Sequence, residues 1–274
     1  MRQREIPASG EEIGAIGLGT WQTFDVGTNA GSRAPLKEVL SILAESGGSL
    51  IDSSPMYGSS ERVVGDLAAE TGRQDDFFYA TKVWTTGESR GVQQMQSSFQ
   101  KMRRKQMDLM QIHNLQDWKT HLKTLYQWKE EGKVRYIGIT HYVDAAHHRL
   151  EQIIKTHSID FVQVNYSMAE SNAEHSLLNT AKDRGVAVIA NRPYAGGSLF
   201  RKVKAQKLPV WASELDCASW GQFFLKYILA HPAMTCVIPG TSKPHHMRDN
   251  VQAGFGRLPT ADERRQMKKF IESI

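Results

Sequence analysis

The chain has 274 residues, of which 40% are hydrophobic and 23% are charged. These fractions are ordinary for a globular protein and exclude wholesale disorder, and no apolar run approaches the ~20 residues that a transmembrane helix needs. The net charge of +5 favours anionic small molecules as ligands and is weak evidence for nucleic acid as a partner. Cys217 and Cys236 are too few for a disulfide framework and indicate a reducing compartment. The first residues lack the apolar stretch of a secretory signal, so we expect a cytoplasmic protein.

Short strand-forming runs recur along the chain, with helix-period segments between them. They are nearly continuous in apolar residues rather than alternating, which is typical of parallel strands that are buried on both faces. The middle five begin at positions 77, 108, 134, 160 and 186, so each interval holds one strand and one helix. The predicted strands are Ile16–Gly19, Ser49–Ser53, Phe77–Lys82, Asp108–His113, Val134–Thr140, Asp160–Asn165, Val186–Asn191 and Thr235–Pro239.

Helical segments with one apolar stripe lie between these strands, and most of them stop at a glycine. The predicted helices are Leu36–Ser46, Ser60–Glu70, Trp118–Glu130, Glu174–Asp183 and Ala261–Ile271. Eight strand–helix units predict a closed (β/α)8 TIM barrel, which we expect to form one domain over residues 1–274. Before the first strand, Arg4–Pro7 and Glu12–Ala15 predict a short β-hairpin that closes the bottom of the barrel.

The competing architecture is a doubly wound dinucleotide-binding fold. Its GxGxxG fingerprint should follow a strand and open a helix. Here Gly17-Leu18-Gly19 is followed by Thr20-Trp21-Gln22, with neither the third glycine nor a helix. The GxxxxGK[ST] phosphate loop is also absent. The barrel is therefore favoured.

Ionisable residues end three consecutive predicted strands. Asp52 ends the second strand and is followed by Tyr57, Lys82 ends the third, and His113 ends the fourth. Functional groups of such a barrel gather at the carboxyl ends of its strands, so these four side chains should converge on one rim. Each of them alone is more typical of a structural role: a turn former, a loop aromatic, a solvated cation and a core imidazole. The combination favours a site that delivers a proton to a developing alkoxide.

The expected electrostatics support this interpretation. A buried lysine needs a carboxylate partner, which Asp52 supplies. An ammonium beside Tyr57 favours the phenolate, so we expect the pKa of Tyr57 to lie below its usual value of ~10. A histidine opposite can hydrogen-bond a substrate carbonyl oxygen.

In combination, these residues resemble the aldo-keto reductases. Asp52 with Tyr57 five positions later, Lys82 before Val83-Trp84, and His113 match the catalytic tetrad of that family. The similarity covers roughly residues 12–252, and its further matching segments are Gly17–Trp21, Asp108–Ile112, Val237–Lys243 and Asp249-Asn250. The resemblance implies a (β/α)8 oxidoreductase that reduces aldehydes or ketones reversibly with NAD(P)H. It implies Tyr57 as general acid, Lys82 and Asp52 as its tuning pair, His113 as the group that orients the carbonyl, and no metal.

The resemblance also implies a set of cofactor contacts, with departures from the family pattern. Gln163 matches the carboxamide-binding glutamine, while Thr140 and His141 replace the usual serine and asparagine. Asn191 stands where many members stack a tyrosine on the nicotinamide. Arg192 follows at a position that normally faces the pyrophosphate, with rim packing as an equal alternative. The full implied set is Thr20, Thr140, His141, Gln163, Asn191, Arg192, Thr241, Lys243, His246 and Asn250.

The choice between NADP(H) and NAD(H) depends on the residues near the 2′-phosphate. Thr241 and Lys243 offer a hydroxyl and a cation, but the usual lysine and arginine are replaced by Gly240 and His246. Lys243, with Arg248 near it, favours NADP(H), and NAD(H) stays the alternative. Asp249 and Asn250 match the family's adenine-binding pair.

Trp21 and Trp84 match aromatic walls of the family's substrate pocket. Trp118 either joins them or packs the helix that follows. The predicted last helix reaches the end of the sequence, so we expect an open pocket with broad carbonyl specificity. The expected partner is a small-molecule carbonyl compound, with no nucleic acid, no membrane, and a monomer or weak oligomer. The basic run Lys101–Lys105 should lie on the opposite face of the barrel, as a solvated patch.

Two other functions stay open from the sequence. One is a catalytically weak, cofactor-binding redox sensor or regulatory subunit that keeps the barrel. The other is a Schiff-base enzyme that uses Lys82 as its nucleophile, which requires a largely neutral lysine.

Overall fold

The computed structural model describes all residues from 1 to 274. Eight parallel strands form a nearly closed barrel, in which each strand pairs with the next one along the chain. Isolated parallel bridges between Ile16 and Val237 and between Gly19 and Gly240 bring the first strand against the last. The barrel strands are β3 (Leu18–Gly19), β4 (Leu50–Asp52), β5 (Phe78–Val83), β6 (Met107–His113), β7 (Val134–Thr140), β8 (Phe161–Asn165), β9 (Ala187–Asn191) and β10 (Met234–Val237). The predicted fold is confirmed.

A layer of helices surrounds the strands. The helices are α1 (Ala30–Glu45), α2 (Ser60–Glu70), α3 (Glu88–Lys101), α4 (Trp118–Glu130), α5 (His147–Thr156), α6 (Leu177–Asp183), α7 (Ser198–Lys202), α8 (Trp220–Leu229), α9 (Pro244–Gln252) and α10 (Ala261–Glu272). A core cluster of 63 buried residues fills the space between the two layers. Burial of this apolar surface is the main driving force that holds the helices against the barrel. None of the helices is long and apolar enough to span a membrane.

The predicted hairpin is present as the antiparallel pair β1 (Gln3–Glu5) and β2 (Glu12–Gly14). Ile6 and Ile13 belong to a second cluster of 12 buried residues, which also includes Leu50, Phe78 and Phe161 from three barrel strands. These interior side chains fill the amino-terminal end of the barrel. The hairpin therefore closes the bottom and leaves the carboxyl ends of the strands as the functional face.

The structure changes two helix boundaries. Helix α1 begins six residues before the predicted Leu36, because Asn29 caps it by accepting a 2.8 Å hydrogen bond from the Ser32 amide. The predicted helix from Glu174 is interrupted, since Ser176 has non-helical backbone angles (φ −152°, ψ −49°) between a short 3-10 turn and α6. The other predicted helices agree to within one residue.

Candidate active site

The four residues of the predicted tetrad lie together at the carboxyl ends of three adjacent strands. Asp52, Lys82 and His113 lie at or near the ends of β4, β5 and β6, and Tyr57 lies on the loop after β4. Lys82 is 0% exposed, Asp52 3% and His113 6%, while Tyr57 is half-buried. The strands are buried on both faces, so the inward side chains at their ends share one enclosed polar region.

Lys82 and Asp52 form a buried ion pair with an Nζ–Oδ2 distance of 2.6 Å. Lys82 also donates to the Ser53 carbonyl at 2.6 Å, and the second Asp52 oxygen accepts from Gln111 Nε2 at 3.0 Å and Gln163 Nε2 at 2.8 Å. Burial by itself would lower the pKa of Lys82, but the neighbouring Asp52 carboxylate and Tyr57 raise the pKa of Lys82 above its ordinary value. The ammonium is therefore charged at neutral pH and well supplied with acceptors.

Tyr57 is close to both this ammonium and the imidazole of His113. Lys82 Nζ is 5.0 Å from the centroid of the Tyr57 ring, and the His113 ring meets that ring edge-on at 5.8 Å between centroids. Burial raises the pKa of Tyr57 above its ordinary value, and the opposing effect of Lys82 is smaller. The expectation of a lowered pKa was wrong, because desolvation of the phenolate outweighs the attraction of one ammonium that Asp52 already neutralises.

His113 is neutral in this environment. Burial, then repulsion from Lys82 and His141, lowers the pKa of His113 to about 2. Its Nδ1 lies 3.0 Å from Ser54 Oγ, a contact that the sequence did not suggest because 59 positions separate the two residues.

A row of side-chain amides continues from Asp52 across the barrel. Gln163 donates to Asp52 and, at 3.3 Å, to Gln111 Oε1, while its own Oε1 accepts from Thr140 Oγ1 at 3.2 Å and Asn191 Nδ2 at 3.3 Å. All hydrogen-bonding positions of Gln163 are thus used inside the protein. Gln111 was missed from the sequence, although it lies two residues before His113 on β6 and therefore shares its face.

Other predicted cofactor contacts lie on the same rim. Thr20 is fully buried and its hydroxyl donates to the Asp52 carbonyl at 3.0 Å. The His141 carbonyl accepts from Asn191 at 3.3 Å, and Arg192 reaches Glu170 at 3.4 Å. Asn191 Oδ1, Arg192 Nε and Glu170 Oε2 are enclosed without any partner in the protein. Such atoms are costly, and a polar ligand that met them after a rearrangement of these side chains would remove that cost.

The loop after β10 carries the residues predicted for the 2′-phosphate. Lys243 is exposed and forms no ion pair, and its backbone amide donates to Thr241 Oγ1 at 3.0 Å. His246 is largely exposed. The pKa of His246 is lowered, mainly because part of the ring is desolvated and also because His245 and Lys243 repel the imidazolium. Arg248 forms an exposed ion pair with Glu38 of α1, and its place near the 2′-phosphate remains a prediction.

The two residues predicted for adenine already have protein partners. Asn250 is buried and accepts from the Tyr194 hydroxyl at 2.6 Å. Asp249 accepts from Ser219 Oγ at 2.7 Å and Gln222 Nε2 at 2.6 Å, which ties α9 to α8. An adenine contact from either side chain remains a prediction.

Two of the three tryptophans predicted for the substrate pocket lie at this face. Trp21 and Trp84 are on the loops after β3 and β5 and are 54% and 42% exposed. Trp118 lies in the outer helical layer, where its ring packs edge-on against His157 at 5.1 Å and beneath Arg149. It therefore takes the helix-packing alternative and does not join the other two. No group of three or more His, Cys, Asp or Glu side chains is placed to hold a metal ion.

Comparison with known proteins agrees with this geometry. The model of the "Aldo/keto reductase family" matches residues 15–272. The chain belongs to the aldo/keto reductase family. Among the relatives of this aldo/keto reductase, aldo-keto reductase str7 of Strobilurus tenacellus is 28% identical over 86% of this chain and 80% of its own. Methylglyoxal reductase YeaE of Escherichia coli K12 is 26% identical over 96% of this chain and 93% of its own.

Solved structures show the same fold. An aldo/keto reductase from Klebsiella pneumoniae in complex with NADP and acetate superposes with a TM-score of 0.82 at 21% identity, covering 99% of this chain and 96% of that one. A thermostable aldo-keto reductase, Tm1743, in complex with the inhibitor epalrestat gives a TM-score of 0.81 at 24% identity over 98% of this chain and 99% of that one. This aldo/keto reductase is thus an oxidoreductase by family and a (β/α)8 barrel by fold.

Proposed function

We propose that the protein is an NADPH-dependent carbonyl reductase that converts aldehydes or ketones to alcohols with Tyr57 as the proton donor. The observation that carries the proposal is the convergence of Lys82 and His113 on the Tyr57 ring, at 5.0 Å and 5.8 Å from its centroid, above the buried Lys82–Asp52 pair. The relatives named as reductases and the neighbour bound to NADP support it.

Each residue of the tetrad has a distinct task in this reaction. The phenol of Tyr57 gives its proton to the substrate oxygen as negative charge develops there. The Lys82 ammonium then stabilises the phenolate that is left, and Asp52 keeps that ammonium charged and in place. The neutral His113 imidazole orients the carbonyl by hydrogen bonding to its oxygen. A bound reduced nicotinamide supplies the hydride.

The rim carries polar and cationic groups without partners in the protein, and their chemistry suits a dinucleotide. Asn191 Oδ1 is an enclosed acceptor without a partner, Arg192 Nε is an enclosed donor without a partner, and Lys243 is an exposed cation without an ion pair on the loop after β10. We assign the nicotinamide side to the Asn191 end of the amide row, together with Thr140, His141 and Gln163. Gln163 would bind the carboxamide by exchanging one of its hydrogen bonds inside the protein for one to the cofactor. We assign the phosphate groups to Arg192, Thr241 and Lys243, with His246 beside them. The free Lys243 favours NADPH over NADH.

The Schiff-base alternative is disfavoured by the state of Lys82. A nucleophilic amine must be neutral, and the 2.6 Å contact with Asp52 raises the pKa of Lys82 instead. The sensor alternative makes a different prediction from the reductase, namely cofactor binding without turnover.

The test of the function is oxidation of NADPH by a panel of aldehydes and ketones, followed at 340 nm with NADH in parallel. We expect turnover with at least some small aldehydes and a higher kcat/KM for NADPH. Binding of NADPH without turnover on any carbonyl compound would favour the sensor. Trapping of a substrate adduct on Lys82 by borohydride would favour the Schiff-base enzyme.

The pH profile of carbonyl reduction follows from the state of the tetrad. Reduction needs the protonated phenol, which exists below the pKa of Tyr57, and burial moves that pKa upwards. With the pKa of His113 at about 2, neither group titrates near neutrality. We expect kcat for reduction at saturating NADPH to stay flat from about pH 6 to 9 and to fall only near or above ~10. A midpoint between pH 7 and 8 would mean that the charge of Lys82, rather than burial, determines the pKa of Tyr57 in the complex.

Removal of the free cation on the loop after β10 tests cofactor choice. Lys243→Ala should raise the Kd for NADPH by about 10-fold to 100-fold and leave the Kd for NADH nearly unchanged, as expected for loss of one charge-assisted contact. Titration of protein fluorescence with each cofactor measures both constants. Lys123→Ala, which removes an exposed lysine from α4, controls for net charge. Equal losses for both cofactors would assign Lys243 a structural role.

A further inference from the structure

The hydroxyl of Ser54 is enclosed between a backbone amide and the imidazole of His113. Ser54 is 0% exposed, its Oγ accepts a 3.3 Å hydrogen bond from the Met56 amide, and the same Oγ lies 3.0 Å from His113 Nδ1. The hydroxyl has one hydrogen to donate, and His113 Nδ1 is the only acceptor that it contacts. A buried hydroxyl hydrogen without an acceptor is costly, so Ser54 must be the donor in this pair.

The direction of this hydrogen bond determines whether the other ring nitrogen, Nε2, carries a proton. An Nδ1 that accepts a hydrogen bond carries no proton, and in a neutral imidazole the proton is then on Nε2. His113 Nε2 has no hydrogen-bond partner in the protein and is not among the enclosed unpartnered atoms, so a bound molecule can reach it. In the opposite tautomer, a lone pair on Nε2 would face the substrate oxygen and repel the negative charge that develops there.

We propose that Ser54 is a positioning residue that fixes His113 as the Nε2–H tautomer and thereby presents a hydrogen-bond donor to the substrate carbonyl. The consequence for the reaction rests on the proposed function, whereas the tautomer itself does not. Ser54 acts through His113 and does not contact the reacting atoms. Its neighbour Ser53 has no such role, because the Ser53 hydroxyl contacts Thr20 Oγ1 at 3.0 Å instead.

Nitrogen NMR of the histidine-labelled protein tests the tautomer without any substrate. Of the 10 histidines, His113 is assigned by the signal lost in His113→Gln. We expect wild-type His113 to show a protonated, pyrrole-like Nε2 and an unprotonated Nδ1. Ser54→Ala should produce a mixture of tautomers, and Ser54→Thr, which keeps the hydroxyl, should restore the single form. Ser53→Ala, an equally buried serine changed in the same way, should leave the His113 signals unchanged.

Kinetics test the consequence for the reaction. Ser54→Ala should lower kcat for carbonyl reduction about 10-fold, the effect of losing one net hydrogen bond, with an unchanged Kd for NADPH. Ser54→Thr should recover most of the rate. A protonated Nδ1 in the wild-type protein would overturn the proposal, and so would an unaltered single tautomer in Ser54→Ala. If wild-type protein failed to reduce any carbonyl compound, the proposed function would fall while the NMR result stood.

Discussion

Tyr57→Phe is expected to reduce the rate of carbonyl reduction by about 10²-fold to 10⁴-fold, because the substitution removes the phenolic proton of the proposed general acid. The phenyl ring keeps the volume of the tyrosine. The edge-on contact with His113 and the approach of Lys82 to the ring face should therefore persist. The Kd for NADPH should change by less than about 3-fold, since no tetrad interaction with the cofactor is removed.

Single-turnover reduction with prebound NADPH separates this chemical effect from binding. Tyr126→Phe, at a half-buried tyrosine of α4 outside the barrel mouth, is the matched control and should retain the wild-type rate. Near wild-type reduction by Tyr57→Phe would remove the proposed proton donor, whatever the family pattern implies.

Lys82→Met should be strongly destabilising as well as inactivating. It leaves the Asp52 carboxylate buried with only the two amides of Gln111 and Gln163 to satisfy it. Breaking a buried pair from one side typically costs 3–5 kcal/mol, so we expect the free energy of unfolding to fall by about that amount. The rate should fall too, because the Tyr57 phenolate loses its stabilising cation.

A second substitution separates the two effects. In Lys82→Met/Asp52→Asn no charge is left uncompensated, so chemical denaturation should show most of the stability recovered, while reduction remains impaired. Lys226→Met is the matched control, because Lys226 is equally buried but donates to the carbonyls of Leu215 and Arg257 rather than to a carboxylate. It should leave kcat unaffected. Recovery of activity in the double variant would show that Lys82 serves only the fold.

The barrel could be predicted because its signals are local. Each strand is a short apolar run, and the helix that precedes it ends at a glycine such as Gly132 or Gly185, whose positive φ of 72° or 66° other residues adopt at a cost. The start of α1 could not be found in the same way. Pro35 is typical of a first helical position, and it lies inside the helix here because Asn29 supplies an earlier cap.

The positions of site residues at strand ends could be predicted from the sequence. Properties that depend on burial or on contacts with residues far away in the chain could not. Asp52, Lys82 and His113 end adjacent strands, so their proximity follows from topology alone. The raised pKa of Tyr57 depends on how completely its hydroxyl is desolvated, which no spacing in the sequence reports. Ser54 was missed because a serine hydroxyl has no sequence signature for its partner. The ion pair of Arg248 with Glu38 was not predictable either, because 210 positions separate the two residues in the chain.

The β1–β2 hairpin closes one end of the barrel and leaves the carboxyl ends of the strands as its open end. Ile6 and Ile13 are buried at the closed end of the barrel, whereas the Lys82–Asp52 pair and the row of amides beside it lie towards the carboxyl ends of the strands. A molecule that covers the carboxyl ends of the strands would separate the ion pair and the whole row of amides from bulk water at the same time. The local dielectric constant would then fall around the ion pair and the amides together, and each electrostatic interaction among them would become stronger. Binding at the rim would therefore strengthen electrostatic interactions inside the barrel that the bound molecule does not touch.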